Sequence, residues 1–316
     1  MWGNLIMKTN ISDFCLRFNI RGMVCFVVAD EPRLQRMLEA YHGERKAIVF
    51  GESSDAVQRL IADNNRLVAL EGELASIFAE ESYPVRIRRL YTWLMAAHWH
   101  DCVEVCFCDH AMLEPSGANL LSVIPRSRIR RVIITDGADA QDVLNMINSG
   151  HIDAYLSIDD TNLAKQIRTY SDYGPILQVD GIWREVAPEL NQLLASPELR
   201  AKLGHFLDAL DVDEHILLST PCGLLCRTKA GKGIWVQLEV KETQIGAVEI
   251  LREQGLSTAD LTPILQGEKA ACLEVLPALH ASDEAVATWA DITVLNAEPW
   301  LGMAVFDLPR LDSGSV

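Results

Sequence analysis

The sequence predicts an α/β protein: a doubly wound parallel five-stranded sheet, with an insertion in the region of its second helix, followed by a smaller α+β domain. Three observations predict it. Apolar runs of strand length alternate with stretches of helical periodicity, which is the pattern of a βα repeat. Several of these runs are unbroken by polar residues, as parallel strands buried on both faces are. Acidic or hydroxyl residues end the runs, at the carboxyl edge where open parallel sheets collect their ligands. The chain has 316 residues, enough for two domains with a core each.

Taken in order, GMVCFVVADEPRLQRML from Gly22 to Leu38 is an apolar strand, then the acids Asp30 and Glu31, then Pro32 opening a helix. KAIVF, Lys46 to Phe50, is the second strand, and SSDAVQRLIADN is the helix after it. More than fifty residues then separate Phe50 from Val103, where one helix would suffice. Within them YPVRIRRLYTWLMAAHWH, Tyr83 to His100, reads as a second amphipathic helix. Arg86, Arg88 and Arg89 fall on its polar side, and Leu90, Trp93, Leu94 and Ala97 on its apolar side. The plain expectation is an extra helix packed on the sheet.

VEVCFCDHAMLEPSG, Val103 to Gly117, ends an apolar run in Asp109, after which Pro115 and Gly117 turn the chain back into a helix. RVIITDG, Arg131 to Gly137, is an apolar strand ending in Thr135, and DAYLSIDD, Asp153 to Asp160, is the last strand of the repeat. Arg126, Arg128, Arg130 and Arg131 read as a solvated loop before a strand rather than a nucleic-acid contact.

Together VVADEP, CFCDHAMLEPSG, VIITDG and INSGHIDAYLSIDD resemble the receiver domains of two-component response regulators, over roughly residues 22 to 170. The resemblance implies that Asp109 accepts a phosphoryl group from a sensor histidine kinase or phosphotransfer protein. It implies that Mg²⁺ is held by Asp30, Glu31, Asp109 and the backbone carbonyl of Ala111. It also implies that Thr135 senses the phosphate and that Tyr155 is the aromatic that changes rotamer with it. A carboxylate attacking phosphorus brings negative charge to negative charge, so hard oxygen ligands and a divalent cation suit the step. The chain departs from the pattern twice. The first acid of the usual pair is Ala29, and position 158, where receivers carry a phosphate-binding lysine, is Ile158. Ser157 beside it cannot supply the missing charge. Losing one fixed cation lowers the rate on the order of 10²-fold, by analogy with losing an oxyanion donor.

The lengthened second-helix region and INSGHIDAYLSIDD ahead of a second domain are similar to a narrower subgroup, proteobacterial response regulators that include those of α-hydroxyketone quorum sensing. That similarity implies a membrane sensor kinase reading a diffusible signal.

Composition narrows the function classes. A net charge of −16 disfavours a broad electrostatic grip on nucleic acid or an anionic membrane, and direct DNA binding is not indicated. MWGNLIMKTN has too short an apolar core for a signal peptide, which points to a cytoplasmic protein. Eight cysteines at irregular spacings are expected to be reduced and buried. Cys102, Cys106 and Cys108 in HWHDCVEVCFCDH lack the paired spacing of a zinc site, as do Cys222 and Cys226 in TPCGLLC.

The chain is organised as an N-terminal extension at 1–21, a receiver-like domain at 22–180, a helical linker at 181–213 and a C-terminal α+β output domain at 214–316. PELNQLLASPELRAKLGHFLDALDVD, Pro188 to Asp213, joins the domains or supports a dimer. HILLSTPCGLLCRTKAGKGIWVQLEV reads as a β-hairpin turning at AGKG, which lacks the spacing and following hydroxyl of a phosphate loop. ETQIGAVEILREQG is a helix stopped by Gly255, TADLTPILQGEK a short helix, and DITVLN and MAVFDL are strands. ASDEAVATWAD, Ala281 to Asp291, is acidic and reads as a solvated helix. No helix-turn-helix, cyclase or phosphodiesterase signature and no Ser, His and Asp set is present, so the expectation is a signalling protein rather than an enzyme. Two alternatives stand beside it. One is a phosphorylation-independent pseudo-receiver scaffold; the other is a receiver that regulates a nucleotide-binding or enzymatic output domain.

Overall fold

The computed structural model describes residues 18–41, 45–112, 117–124, 128–136, 140–172, 196–279 and 288–310. Two compact units emerge. One comprises the described residues of Ile20–Glu73 and His98–Gln178, the other those of Ser12–Asn19, Leu74–Ala97 and Val179–Val316.

Strand β1 (Phe18–Asn19) belongs to the second unit. The first unit begins with β2 (Met23–Val27), α1 (Glu31–Ala40), β3 (Ala47–Phe50) and α2 (Ser53–Phe78). After helix α3 (Tyr83–Ala96) come β4 (Val103–Asp109), α4 (Gly117–Ser122), β5 (Arg130–Thr135), α5 (Ala140–Asn148), β6 (Ala154–Ser157) and α6 (Leu163–Asp172). The five strands pair parallel in the order β3-β2-β4-β5-β6. This is the predicted doubly wound sheet.

Two-residue alternation sorts its side chains into two cores. Met23, Cys25, Val27, Cys106, Cys108 and Ile133 face Leu60 and Leu67 of α2 and Leu120 and Leu121 of α4. Val24, Phe26, Val105, Phe107, Val132 and Ile134 face Met37 of α1 and Leu163 and Ile167 of α6. Every residue of β2 and β4 is buried, which explains the unbroken apolar run of β2; within β4 the run is interrupted by buried Glu104, which pairs with Arg45 at 2.9 Å. Each such Val or Phe contributes about 1.5–3 kcal/mol by leaving water. The described cysteines are free thiols, as expected. Burial pushes the Cys102 thiol up to about 11. Two buried polar residues of α2 fix strand entries: Asp63 accepts from the Val103 N–H at 2.9 Å, and Asn64 from the Arg128 N–H at 2.7 Å.

The insertion corrects an expectation. Helix α3 does not cover the parallel sheet; it belongs to the second unit. Its polarity is as predicted, with Ile87, Leu90, Tyr91, Trp93 and Leu94 buried. Arg88 donates to the Ala278 carbonyl at 3.1 Å and Tyr91 Oη to the Pro309 carbonyl at 2.7 Å. A Cβ on Gly233 would collide with the Tyr91 hydroxyl, so the ring packs directly on strand backbone. A single cut near residue 180 therefore differs from the observed units, because 74–97 is spent on the second core.

The second unit continues with α7 (Pro197–Ala209), β7 (Val212–Leu218), β8 (Gly223–Thr228), β9 (Gly233–Glu239), α8 (Lys241–Glu253) and α9 (Thr258–Leu265). Then follow β10 (Lys269–Cys272), α10 (Val275–Leu279), β11 (Thr288–Asn296) and β12 (Leu301–Asp307). Its strands form a seven-stranded antiparallel sheet in the order β1-β7-β8-β9-β12-β11-β10. The predicted hairpin is a three-stranded meander, since Ser219–Cys222 breaks its first arm into β7 and β8. The AGKG turn holds: Gly231 takes φ +74° and donates to the Thr228 carbonyl at 2.8 Å. Helix α8 stops at Gly255 as predicted, with φ +92°. Of the predicted acidic helix, 281–287 lie outside the described residues, and Thr288–Asp291 form the start of β11 instead. Of PELNQLLASPELRAKLGHFLDALDVD, residues 188–195 lie outside them, and α7 starts at a Ser196 cap.

Candidate functional site

The carboxyl ends of β2, β4 and β5 bring acidic residues to one edge of the parallel sheet. Asp109 ends the central strand, and only 2% of it is exposed. Its Oδ1 accepts the Ala111 backbone N–H at 3.0 Å and Arg33 Nη1 at 2.7 Å. The other fork of Arg33, Nη2, binds Asp136, the residue after β5. One guanidinium thus bridges two strand-end carboxylates. The hydrogen bond to Asp109 raises the Arg33 pKa, and Arg33 in turn holds the exposed Asp136 carboxyl below its ordinary range.

Local sequence explains how Arg33 arrives there. Asp30 caps α1, its side chain accepting the Arg33 backbone N–H at 3.2 Å, and Pro32 suits the first turn. The cap fixes the helix start above the strand ends, and Arg33 in that first turn leans over Asp109. One turn on, Arg36 donates to the Ile158 carbonyl at 3.1 Å and to Asp159 at 3.2 Å. Helix α1 therefore supplies cations to an edge that β6 leaves without one.

The other predicted residues fall as follows. Thr135 is buried at the end of β5, its Cα opposite Ser157 in the β5–β6 register. Ile158 is buried among Val28, Leu163 and Ile167, so its side chain belongs to the core. Tyr155 is 40% exposed. Asp30 and Glu31 are exposed. Among the described residues, no trio of acids, histidines or cysteines that includes Asp109 has its ligand atoms within 4.8 Å of one another. The predicted set of Asp30, Glu31 and Asp109 is thus not drawn together, and Ala111 meets Asp109 through its N–H. Leu113 to Ser116 lie outside the described residues.

Arg33, Arg36 and Asp136 were not among the predicted residues. The available signal was spacing: Arg33 and Arg36 occupy successive turns of a helix that opens at the sheet edge. Arg128 and Arg131 are engaged elsewhere, Arg128 with Glu71 at 3.1 Å and Arg131 with Asp153 at 3.2 Å. No described helix is long and apolar enough to cross a membrane.

No protein-family model and no curated protein matches the sequence. Among solved structures, the Legionella pneumophila response regulator LqsR matches at 17% identity, over 94% of this chain and 91% of that one, with a TM-score of 0.64. An uncharacterized protein from Neptuniibacter caesariensis matches at 21% identity over 48% of this chain and 90% of that one, with a TM-score of 0.32. The Mn²⁺-bound form of response regulator Rcp1 matches at 13% identity over 48% of this chain and 89% of that one, with a TM-score of 0.29. Scores as low as the last two decide nothing. The chain has the architecture of LqsR: a receiver fold followed by an antiparallel sheet domain.

Proposed function

We propose that this chain is a response regulator. Asp109 accepts a phosphoryl group from a sensor histidine kinase or phosphotransfer protein, and the change is passed to the second unit, in a circuit that reads a diffusible quorum-sensing signal. The observation that carries the reading is the position of Asp109: a buried carboxylate at the carboxyl end of the central strand of a β3-β2-β4-β5-β6 parallel sheet. The fold shared with LqsR supports it, and supports the narrower circuit more weakly.

The hydrogen bonds of the carboxylate divide the work between its oxygens. Oδ1 is occupied by the Ala111 N–H and by Arg33. Oδ2 carries no hydrogen bond among the described residues and is the attacking atom. It forms a P–O bond while the P–N bond of the donor phosphohistidine breaks, and the departing imidazole nitrogen keeps the electron pair and takes up a proton. Arg33 orients the nucleophile and offsets the charge that gathers there, in the absence of a lysine at Ile158. Mg²⁺ would be held by Asp109 with Asp30, Glu31 and the Ala111 carbonyl only once Asp30 and Glu31 are brought closer to Asp109. Bound there, the ion would neutralise phosphoryl oxygens. Thr135 is the residue placed to answer the phosphate, and Tyr155 the one whose exposure could change with it.

The Arg33 pairing also favours a second reading, a scaffold whose Asp109 is permanently neutralised. Incubation with Mg²⁺ and a small phosphodonor, followed by intact mass measurement, separates the two. The response regulator gains an acid-labile phosphate that Asp109→Asn lacks; the scaffold gains none while a working receiver in the same buffer does.

A further inference from the structure

We propose that the second unit carries a binding site for a small organic cation, an alkylammonium, in the cavity beside Glu239. The site owes nothing to Asp109 and gives the second unit a ligand of its own. Three observations carry it. The cavity measures about 350 Å³, and small-molecule sites run from about 300 to about 1,000 Å³. Its walls divide by chemistry: Pro221, Ala247, Ile250 and Leu273 are apolar, Glu239 and Glu274 bring carboxyls, and among the described residues no lysine, arginine or histidine lines it. The Glu239 carboxylate, on a residue only 4% exposed, is short of a donor. Its Oε1 accepts from Gln237 Nε2. Its Oε2 lies 2.5 Å from Thr243 Oγ1, but that hydroxyl has a single proton and a second acceptor in reach, the Val240 carbonyl at 2.8 Å.

The chemistry of the lining selects the ligand. An ionised carboxylate accepts about four hydrogen bonds, so the oxygens of Glu239 keep room for a charged N–H. Burial raises the Glu239 carboxyl, and it raises that of Glu274, an exposed residue that stands where the cavity meets solvent. A cation held in the cavity supplies the positive charge that the lining lacks, whereas an anion is repelled by both acids. A metal ion does not find its ligand set, because among the described residues Glu239, Glu274 and Cys222 do not have their ligand atoms within 4.8 Å of one another. The apolar wall then favours a cation that carries hydrocarbon, which leaves water against Ile250 and Leu273. The site also has a reporter. Trp235 Nε1 donates to Gln237 Oε1 at 3.1 Å, and the other end of that amide holds Glu239.

The test uses the full-length chain and n-hexylammonium, with hexan-1-ol and hexanoate as probes of the same length and different charge. Calorimetry at neutral pH is expected to show saturable binding of n-hexylammonium at least about tenfold tighter than of either other probe, and Glu239→Gln to lose at least about tenfold of that affinity. Ala247→Leu, which fills the cavity and keeps both carboxyls, is expected to lose it too. Binding of hexan-1-ol or hexanoate as tight as that of the ammonium overturns the proposal, as does the absence of saturable ammonium binding. An affinity that survives either substitution in a folded protein also overturns it, since the cation then sits elsewhere on an acidic surface. Should the variants fail to fold, the indole N–H resonance of Trp235 in the unaltered chain decides the matter. A shift that saturates with n-hexylammonium is expected, and an unmoved resonance overturns the proposal. Neither readout needs a phosphodonor, so phosphotransfer can fail while this stands, and the reverse.

Discussion

Asp109 in the first unit and Glu239 in the second are both carboxylates at strand ends, and both are buried, but they are compensated in opposite ways. Asp109 meets a guanidinium from another element. Among the described residues Glu239 meets only neutral donors, Gln237 Nε2 on one oxygen and Thr243 Oγ1 on the other, and burial pushes its carboxyl above the ordinary range. Gln237 is itself fixed, donating to the Ala271 carbonyl at 3.1 Å and accepting from Trp235 Nε1 at 3.1 Å. The cavity of about 350 Å³ beside Glu239 is lined by Cys222, Ile250, Leu273 and Glu274 and, among the described residues, by no lysine or arginine. One acid is thus paired with a guanidinium. The other is locked in a network of short neutral side chains.

The largest expected effect breaks the first half of the contrast. Arg33→Ala removes the cation from a nearly closed carboxylate, and breaking such a pair costs on the order of 3 kcal/mol. Chemical denaturation should show that loss, and Asp109→Asn in the same background should recover most of it. A loss under about 1 kcal/mol would put the pair with ordinary surface ion pairs.

That pair also marks where the sequence stopped being informative. The central strands β2, β4 and β5 were legible because burial on both faces leaves long, mostly apolar runs, and Asp109 was legible because it ends one of them; the edge strands β3 and β6 are short and partly exposed. Arg33 lies 76 residues from Asp109 and 103 from Asp136, so their meeting depends on strand order rather than on any local pattern. The same limit hid the membership of α3: its apolar stripe says that it packs, and only Tyr91 against Gly233 says on what. The hairpin was misjudged because one apolar arm of HILLSTPCGLLC is long enough to read as a single strand, although Thr220 and Pro221 interrupt it.

Next in size is a clash in the second unit. Gly233→Ala would force a methyl against Tyr91, and overpacking of this kind costs about 1–3 kcal/mol. The loss should shrink when Tyr91 is also changed to Ala, as measured by a double-mutant cycle. No coupling would detach α3 from the unit that holds Glu239.

A third expectation sharpens the contrast through pH. Because the folded state holds the Glu239 proton more tightly than the unfolded chain, its contribution is neutral at acid pH. The loss begins as pH rises through the ordinary carboxyl range and is complete above the raised folded value. Glu239→Gln should therefore flatten that fall, leaving the variant more stable than the parent at pH 8 by on the order of 1 kcal/mol and no more stable at pH 4. Thermal melts at both pH values check it; a variant less stable than the parent at pH 8 would contradict it. Smallest is Tyr91→Phe, which gives up one hydrogen bond to the Pro309 carbonyl and should cost about 1 kcal/mol.

The most direct measurement is chemical trapping of the phosphorylated chain. Borohydride reduces an aspartyl phosphate to homoserine, and peptide mapping then reports which carboxyl carried the phosphoryl group. Homoserine at position 109, with Glu239 unchanged, is the expected result. Trapping at another carboxyl, or none beside a control receiver that is trapped, would contradict the assignment of Asp109 as the phosphoacceptor.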